Sequence, residues 1–132
     1  MSRLTVPKTY KLYIGGKFPR TESGRSIAVE NLQGETVAHI CHGSRKDFRD
    51  AVESAEKAFA SWSGMTGYLR GQIIYRMAEM LESRREEFAA AIQITQSVTA
   101  ASARKEVDAS VDRLVRFAGW TDKYQQVIGC AN

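Results

Sequence analysis

Four side chains in this sequence have the chemistry for nucleophilic attack or metal ligation: Cys41 and Cys130, with His39 and His42 beside the first. A cysteine attacks as its thiolate, which needs a base or a positive charge within hydrogen-bond reach. Cys130 is far along the chain from both histidines and reads as a bystander thiol. His39, Cys41 and His42 resemble half of a zinc site, but structural zinc takes about four ligands in paired clusters, and the sequence has no second cluster. In a strand, His39 and Cys41 share one face while His42 points the other way, so the three read as strand-end residues. Glu106 and Asp108 are two apart on a helical stretch and point in different directions, which suits a solvated helix face better than an acid-base couple. Gly15-Gly16 starts neither G-x-G-x-x-G nor G-x-x-x-x-G-K-[ST], so it is no phosphate loop. No catalytic, cofactor-binding or metal-ligating residue is assigned.

The elements that carry these residues follow from periodicity. Residues 10–18 alternate apolar and polar around Leu12, Tyr13 and Ile14, then meet Gly15-Gly16, which predicts a strand, a tight turn and a short return through Lys17 and Phe18. Residues 20–26 form a polar turn cluster, Ile27-Ala28-Val29 starts another strand, and Thr36 to Ile40 returns after Asn31-Leu32-Gln33-Gly34. The expectation is an antiparallel β-hairpin region over 10–42. Ser44 followed by Asp47 is a capping arrangement, and from there the period changes to that of helices, predicting a helical region over 44–128.

Phe48, Ala51, Val52, Ala55, Ala58, Phe59 and Trp62 mark the first helix, which ends near Ser63-Gly64. Thr66 caps a second helix with Leu69, Ile73, Ile74, Met77, Met80 and Leu81 on its apolar side. Gly67 and Gly71 each weaken that helix by about 1 kcal/mol relative to Ala, so their presence predicts close packing there. Ser83 with Glu86 repeats the capping box for a third helix, Gln96-Ser97-Val98-Thr99 breaks it, and a fourth is predicted from Ala100 to Val127. All of this fits one region, 1–132.

The chain has 132 residues, 43% hydrophobic and 26% charged, which is ordinary globular composition. Its net charge of +4 is spread among opposite charges, as in Arg45-Lys46-Asp47 and Arg84-Arg85-Glu86-Glu87, so no nucleic-acid partner is expected. No apolar run approaches the roughly 20 residues of a membrane span, and Met1 to Pro7 lacks the apolar stretch of a secretory signal. A cytoplasmic chain with no membrane partner and reduced cysteines is the expectation.

Several strings, in order, carry a resemblance. They are Tyr10-Lys11-Leu12-Tyr13-Ile14-Gly15-Gly16-Lys17-Phe18, then Gly34-Glu35, then the helix Arg70-Gly71-Gln72-Ile73-Ile74-Tyr75-Arg76-Met77-Ala78-Glu79-Met80-Leu81, and finally Arg116-Phe117-Ala118-Gly119-Trp120-Thr121-Asp122-Lys123-Tyr124. Together they resemble the N-terminal segment of the NAD(P)-dependent aldehyde dehydrogenase superfamily, an α/β fold. The resemblance implies that a complete enzyme oxidises an aldehyde to a carboxylate with NAD or NADP. It would use a cysteine thiolate, an amide donor for the oxyanion and a glutamate base, all carried by later sequence. It further implies that this chain is catalytically inactive alone, binds neither cofactor by itself, and acts as a scaffold or oligomerisation segment. Its partner would be a second copy or the remainder of such an enzyme. A second reading is a non-enzymatic interaction module derived from the family. One departure stands out: a Glu-x-x-x-Gly-Lys-Pro-like stretch between the third and fourth helices is replaced by Gln93 to Ala100, and Val98 is a poor residue for the positive φ that a helix-ending glycine supplies.

Overall fold

The computed structural model describes residues 6–129. Three strands, β1 (Lys8–Tyr10), β2 (Ser26–Glu30) and β3 (Thr36–Cys41), precede five helices: α1 (Arg45–Gly64), α2 (Gly67–Ser83), α3 (Arg85–Gln96), α4 (Ala100–Trp120) and α5 (Tyr124–Ile128). The change from strands to helices falls at the Ser44 cap, as the periodicity predicts. The chain divides into two compact units, one holding the strands, residues of α1 up to Ala60 and Ile94–Ser97, the other holding Ser61–Gln93 and the chain from Val98 onward.

In the first unit the sheet order is β1-β3-β2. β2 and β3 pair antiparallel, Ser26 opposite Cys41 and Ile27 opposite Ile40, with a register shift between Val29 and Glu30. Asn31 fixes their turn by accepting the backbone N–H groups of Gln33 at 3.0 Å and Glu35 at 2.9 Å, while Gly34 takes φ 77°. The purely antiparallel expectation is corrected at β1, which runs parallel to β3 with Lys8 opposite Ala38. Residues 12–19 form a separate narrow hairpin. Gly15 and Gly16 have φ 59° and 75°, the backbone of a two-residue hairpin turn, and Ile14 and Lys17 exchange hydrogen bonds at 3.0 and 3.1 Å. The Leu12 N–H still reaches the Pro19 carbonyl at 3.0 Å, but Pro19 has no N–H to return, so the ladder stops.

In the second unit Thr66 caps α2, its hydroxyl accepting the Leu69 N–H at 3.2 Å, and Thr99 caps α4 in the same way through the Ser102 N–H at 3.2 Å. Ser83 does not cap α3. α2 runs on through Ser83, whose hydroxyl donates to the Met80 carbonyl at 3.0 Å inside its own helix. The predicted single helix from Ala100 to Val127 is interrupted at Thr121–Lys123 because side chains capture the last carbonyls of α4. Thr121 Oγ1 donates to the Ala118 oxygen at 2.8 Å and Lys123 Nζ to the Gly119 oxygen at 2.6 Å. The buried core here is Ala89, Ala103 and Val107, with Leu81, Ile92 and Val98 partly buried around it.

At the departure between α3 and α4, the residue with positive φ is Ser97 (φ 52°), not Val98. Val98 instead packs against the core as an ordinary apolar residue.

Candidate functional site

The most heavily hydrogen-bonded carboxylate in the first unit is Asp47, at the N-terminus of α1. Ser44 donates its N–H to Asp47 Oδ2 at 2.8 Å, and the Asp47 N–H donates to Ser44 Oγ at 3.2 Å, which is the capping box expected from the sequence. Two further donors come from the polar turn: the buried Thr21 hydroxyl donates to Asp47 Oδ2, and the Glu22 N–H reaches Oδ1 at 3.3 Å. The Ser44 backbone bond, then the Thr21 hydroxyl, hold the Asp47 carboxyl down at about 2 although burial opposes them. An ionised carboxylate whose lone pairs are taken by fixed donors is poorly placed to abstract a proton. Its chemistry is structural: it fastens the 20–23 turn to the start of α1.

The residues first considered for chemistry do not converge. His39 and Cys41 lie in β3, and His42 follows it, donating its N–H to the Arg25 carbonyl at 3.0 Å and offering its own carbonyl to Thr21. Cys41 and His42 are at the strand's end, whereas His39, expected there too, is inside the strand, opposite Thr9 on one side and Ala28 on the other. Among the described residues no group of three or more His, Cys, Asp or Glu side chains could hold a metal ion. Cys130 lies outside the described residues. Asp108 makes a fork-to-fork pair with Arg85, which lowers its pKa, while Glu106 contributes its carbonyl to the Ser110 hydroxyl at 2.9 Å. The two act separately, and Asp108 is an α3–α4 tether rather than half of an acid-base couple. Arg104 and Glu86 make a second such tether at 3.0 Å. Gly15 and Gly16 join two strands of a hairpin, not a strand to a helix, so they do not have the geometry that brings a pyrophosphate to a helix N-terminus.

The second unit contains an open groove of about 830 Å³, walled by α2 through Tyr68, Leu69 and Ile73 and by the end of α4 through Val115, Ala118 and Thr121. The approach of α2 to the end of α4 depends on Gly67 and Gly71. A Cβ on Gly71 would lie 2.8 Å from the Ala118 oxygen and closer still to Thr121 Oγ1, and one on Gly67 would lie 3.0 Å from the Thr121 carbonyl carbon. The close packing predicted from these glycines is present. The groove is mainly apolar and holds no nucleophile paired with a base, so it is a surface for packing rather than for bond-breaking.

The apolar stripes read from the sequence are largely uncovered. Phe48 is 72% and Phe59 67% exposed on α1, and Leu69, Ile73, Met77 and Met80 on α2 are exposed as well. Among the described residues no large side chain is fully buried. No helix among them is long and apolar enough to cross a membrane.

Comparison with known proteins gives the family. The model of the aldehyde dehydrogenase family matches residues 19–131. The chain is 32% identical over 126 residues to mouse mitochondrial 10-formyltetrahydrofolate dehydrogenase, covering 92% of this chain and 14% of that protein. It is 31% identical over 121 residues to the α-ketoglutaric semialdehyde dehydrogenase of Bacillus subtilis, covering 90% of this chain and 25% of the relative. The solved NAD-dependent aldehyde dehydrogenase of Sinorhizobium meliloti superposes with a TM-score of 0.84 at 28% identity, over 89% of this chain and 24% of that one. The chain thus spans a quarter or less of the length of these proteins. The β-then-helix order, the Ala-Gly-Trp end of α4 and these matches give one conclusion: the chain belongs to the aldehyde dehydrogenase family, of whose fold it forms a short N-terminal part.

Proposed function

We propose that this chain is the scaffold segment of a cytosolic NAD(P)-dependent aldehyde dehydrogenase that, when complete, oxidises an aldehyde to a carboxylate. The observation that carries the reading is the mismatch between core and surface. Among the described residues the buried apolar ones are Ala78, Ala89, Ala103 and Val107, while Phe48, Phe59 and Met77 lie open, and the solved relative has about three times as much chain again. Apolar surface of this extent is favourable only when covered, and the rest of the fold is what would cover it. In this reading the thiolate, oxyanion donor, glutamate and dinucleotide cradle belong to the remainder, and the segment binds neither cofactor nor aldehyde by itself. It contributes surfaces on which the remainder, or further subunits, pack.

The isolated 132-residue chain is expected to give no hydride transfer with a panel of aliphatic and aromatic aldehydes in the presence of NAD or NADP, and no heat of specific binding with either nucleotide by titration calorimetry. Saturable turnover that disappears on Cys41→Ser or Cys130→Ser would replace the scaffold reading with that of a small independent enzyme.

A further inference from the structure

Against the expectation of no nucleic-acid partner, the chain's excess positive charge is gathered in one place. Lys8, Lys11, Lys17 and Arg20 fall in residues 6–20, which contain no acidic residue, and these four equal the whole formal excess of +4. Elsewhere basic side chains are commonly matched, as in Lys46–Glu22, Arg76–Glu79, Arg84–Glu87 and Arg104–Glu86. Lys11, Lys17 and Arg20 form no ion pair with a described residue and are exposed.

The 12–19 hairpin brings two rings together between two of these cations in the chain, Lys11 and Arg20. Ile14 and Lys17 are a hydrogen-bonded pair, and the Leu12 N–H bonds the Pro19 carbonyl, so Tyr13 faces Phe18 between them, and Lys11 and Arg20 are the residues next to the hairpin on either side. Directly opposed residues share a face, and residues two apart on one strand share it too. One face therefore presents Tyr13 and Phe18, and the exposed Lys11 and Arg20 flank the hairpin. The rings are 5.1 Å apart, tilted by 46°, and 69% and 65% exposed, while Leu12 and Ile14 on the other face are half-buried. The Thr21–Asp47 bond fastens the hairpin's far end to α1.

We propose that this face is a docking surface for single-stranded nucleic acid, bases stacking on Tyr13 and Phe18 while Lys11 and Arg20 take the flanking phosphates. Exposed rings on a β surface flanked by cations suit a strand whose bases are unstacked. Insertion into a bilayer would need apolar residues at the hairpin tip, and here the tip is Gly15-Gly16 next to Lys17.

The test is fluorescence anisotropy of a short labelled oligothymidylate titrated with the 132-residue chain over a range of salt. Neutralising two phosphates predicts a slope of log affinity against log salt of about −1.4. Lys11→Gln with Arg20→Gln should make that slope shallower by about 1.4. Tyr13→Leu, which keeps an apolar cross-strand partner for Phe18 and so the hairpin, should weaken binding about tenfold, and Tyr13→Phe should restore it. Lys57→Gln and Lys105→Gln should change nothing, and circular dichroism confirms that each variant is folded. Absence of binding at low salt overturns the proposal, as does binding indifferent to both the ring and the cation variants. Binding to phosphatidylserine vesicles without binding to the oligonucleotide overturns it as well, and assigns the face to an anionic membrane surface.

Discussion

Gly71→Val is expected to destabilise the chain by about 2–3 kcal/mol, the cost of forcing a larger side chain into a packed contact. The reason is local. Any Cβ at this position meets the Ala118 carbonyl oxygen at 2.8 Å, where real Cβ atoms are essentially never found, and the obstacle is backbone that cannot swing aside. To admit valine, α2 must move off the end of α4, and the Thr121 hydroxyl that satisfies the Ala118 carbonyl moves with it. Gly71→Ala tests the sign more sharply. Helix propensity alone would make alanine stabilising by about 1 kcal/mol, so a net loss shows that the close approach outweighs it. Gly119→Ala is the control: it sits in α4 with nothing within 4 Å of an added Cβ, and it should stabilise. Thermal denaturation followed by circular dichroism checks all three, with shifts of several degrees per kcal/mol for a unit of this size. A rise in Tm for Gly71→Ala equal to that of Gly119→Ala would show that α2 and α4 do not approach as described.

Asp47→Ala should be the most damaging single change in the first unit. It removes the carboxylate half of the capping box, leaves the N–H groups of Ser44 and Glu22 without their acceptor, and leaves the Thr21 hydroxyl with the His42 carbonyl. Its pH signature is specific. The carboxyl's pKa lies at about 2 in the folded chain, below its ordinary value of 3.8, so the folded state binds the proton less readily than the unfolded one. The stabilisation is therefore full above about pH 4 and is lost as pH falls through about 2. Chemical denaturation at stepped pH should show the parent chain weakening across that window and Asp47→Asn showing a flatter dependence from a lower plateau. Parallel curves for the two proteins would mean that other carboxylates, such as Glu86 and Asp108 in their arginine pairs, govern acid stability.

Where local chemistry decides structure, the sequence was readable. Ser44 with Asp47 marked the start of α1, Thr66 that of α2, and two glycines in a helix interior signalled a contact that no side chain could enter. The misreadings arose where a residue had two local options or a distant partner. Ser83 had both a cap and a back-bond to Met80 open to it, and the continuing helix decided. Thr121 looked like mid-helix until its hydroxyl ended α4. β1, at Lys8–Tyr10, falls almost wholly ahead of the 10–42 region expected to be antiparallel, and its parallel partner, β3, lies across an intervening hairpin and strand, so nothing local announces the pairing. Thr21 was passed over within a polar turn, since nothing in residues 20–26 announces a carboxylate twenty-six positions on. The candidate site itself is legible mainly by elimination, because Cys130 has no base near it in sequence, Cys41 and its two neighbouring histidines belong to one strand and its end, and the apolar helix faces have more surface than the chain can hide.

That last point is the most exposed to measurement. At about 25 cal/mol per Å² of apolar surface, covering a further 400 Å² of the open α1 and α2 faces favours association by about 10 kcal/mol before the ordering costs of binding. Light scattering on the isolated chain at high micromolar concentration, with a hydrophobic dye and a thermal melt on the same sample, reads the outcome directly. The account predicts dimers or larger species, dye binding, and a shift toward monomer with reduced dye signal in Phe48→Glu with Phe59→Glu. A monodisperse monomer that binds no dye and melts in one cooperative transition would contradict it, showing that the helices close a sufficient core alone.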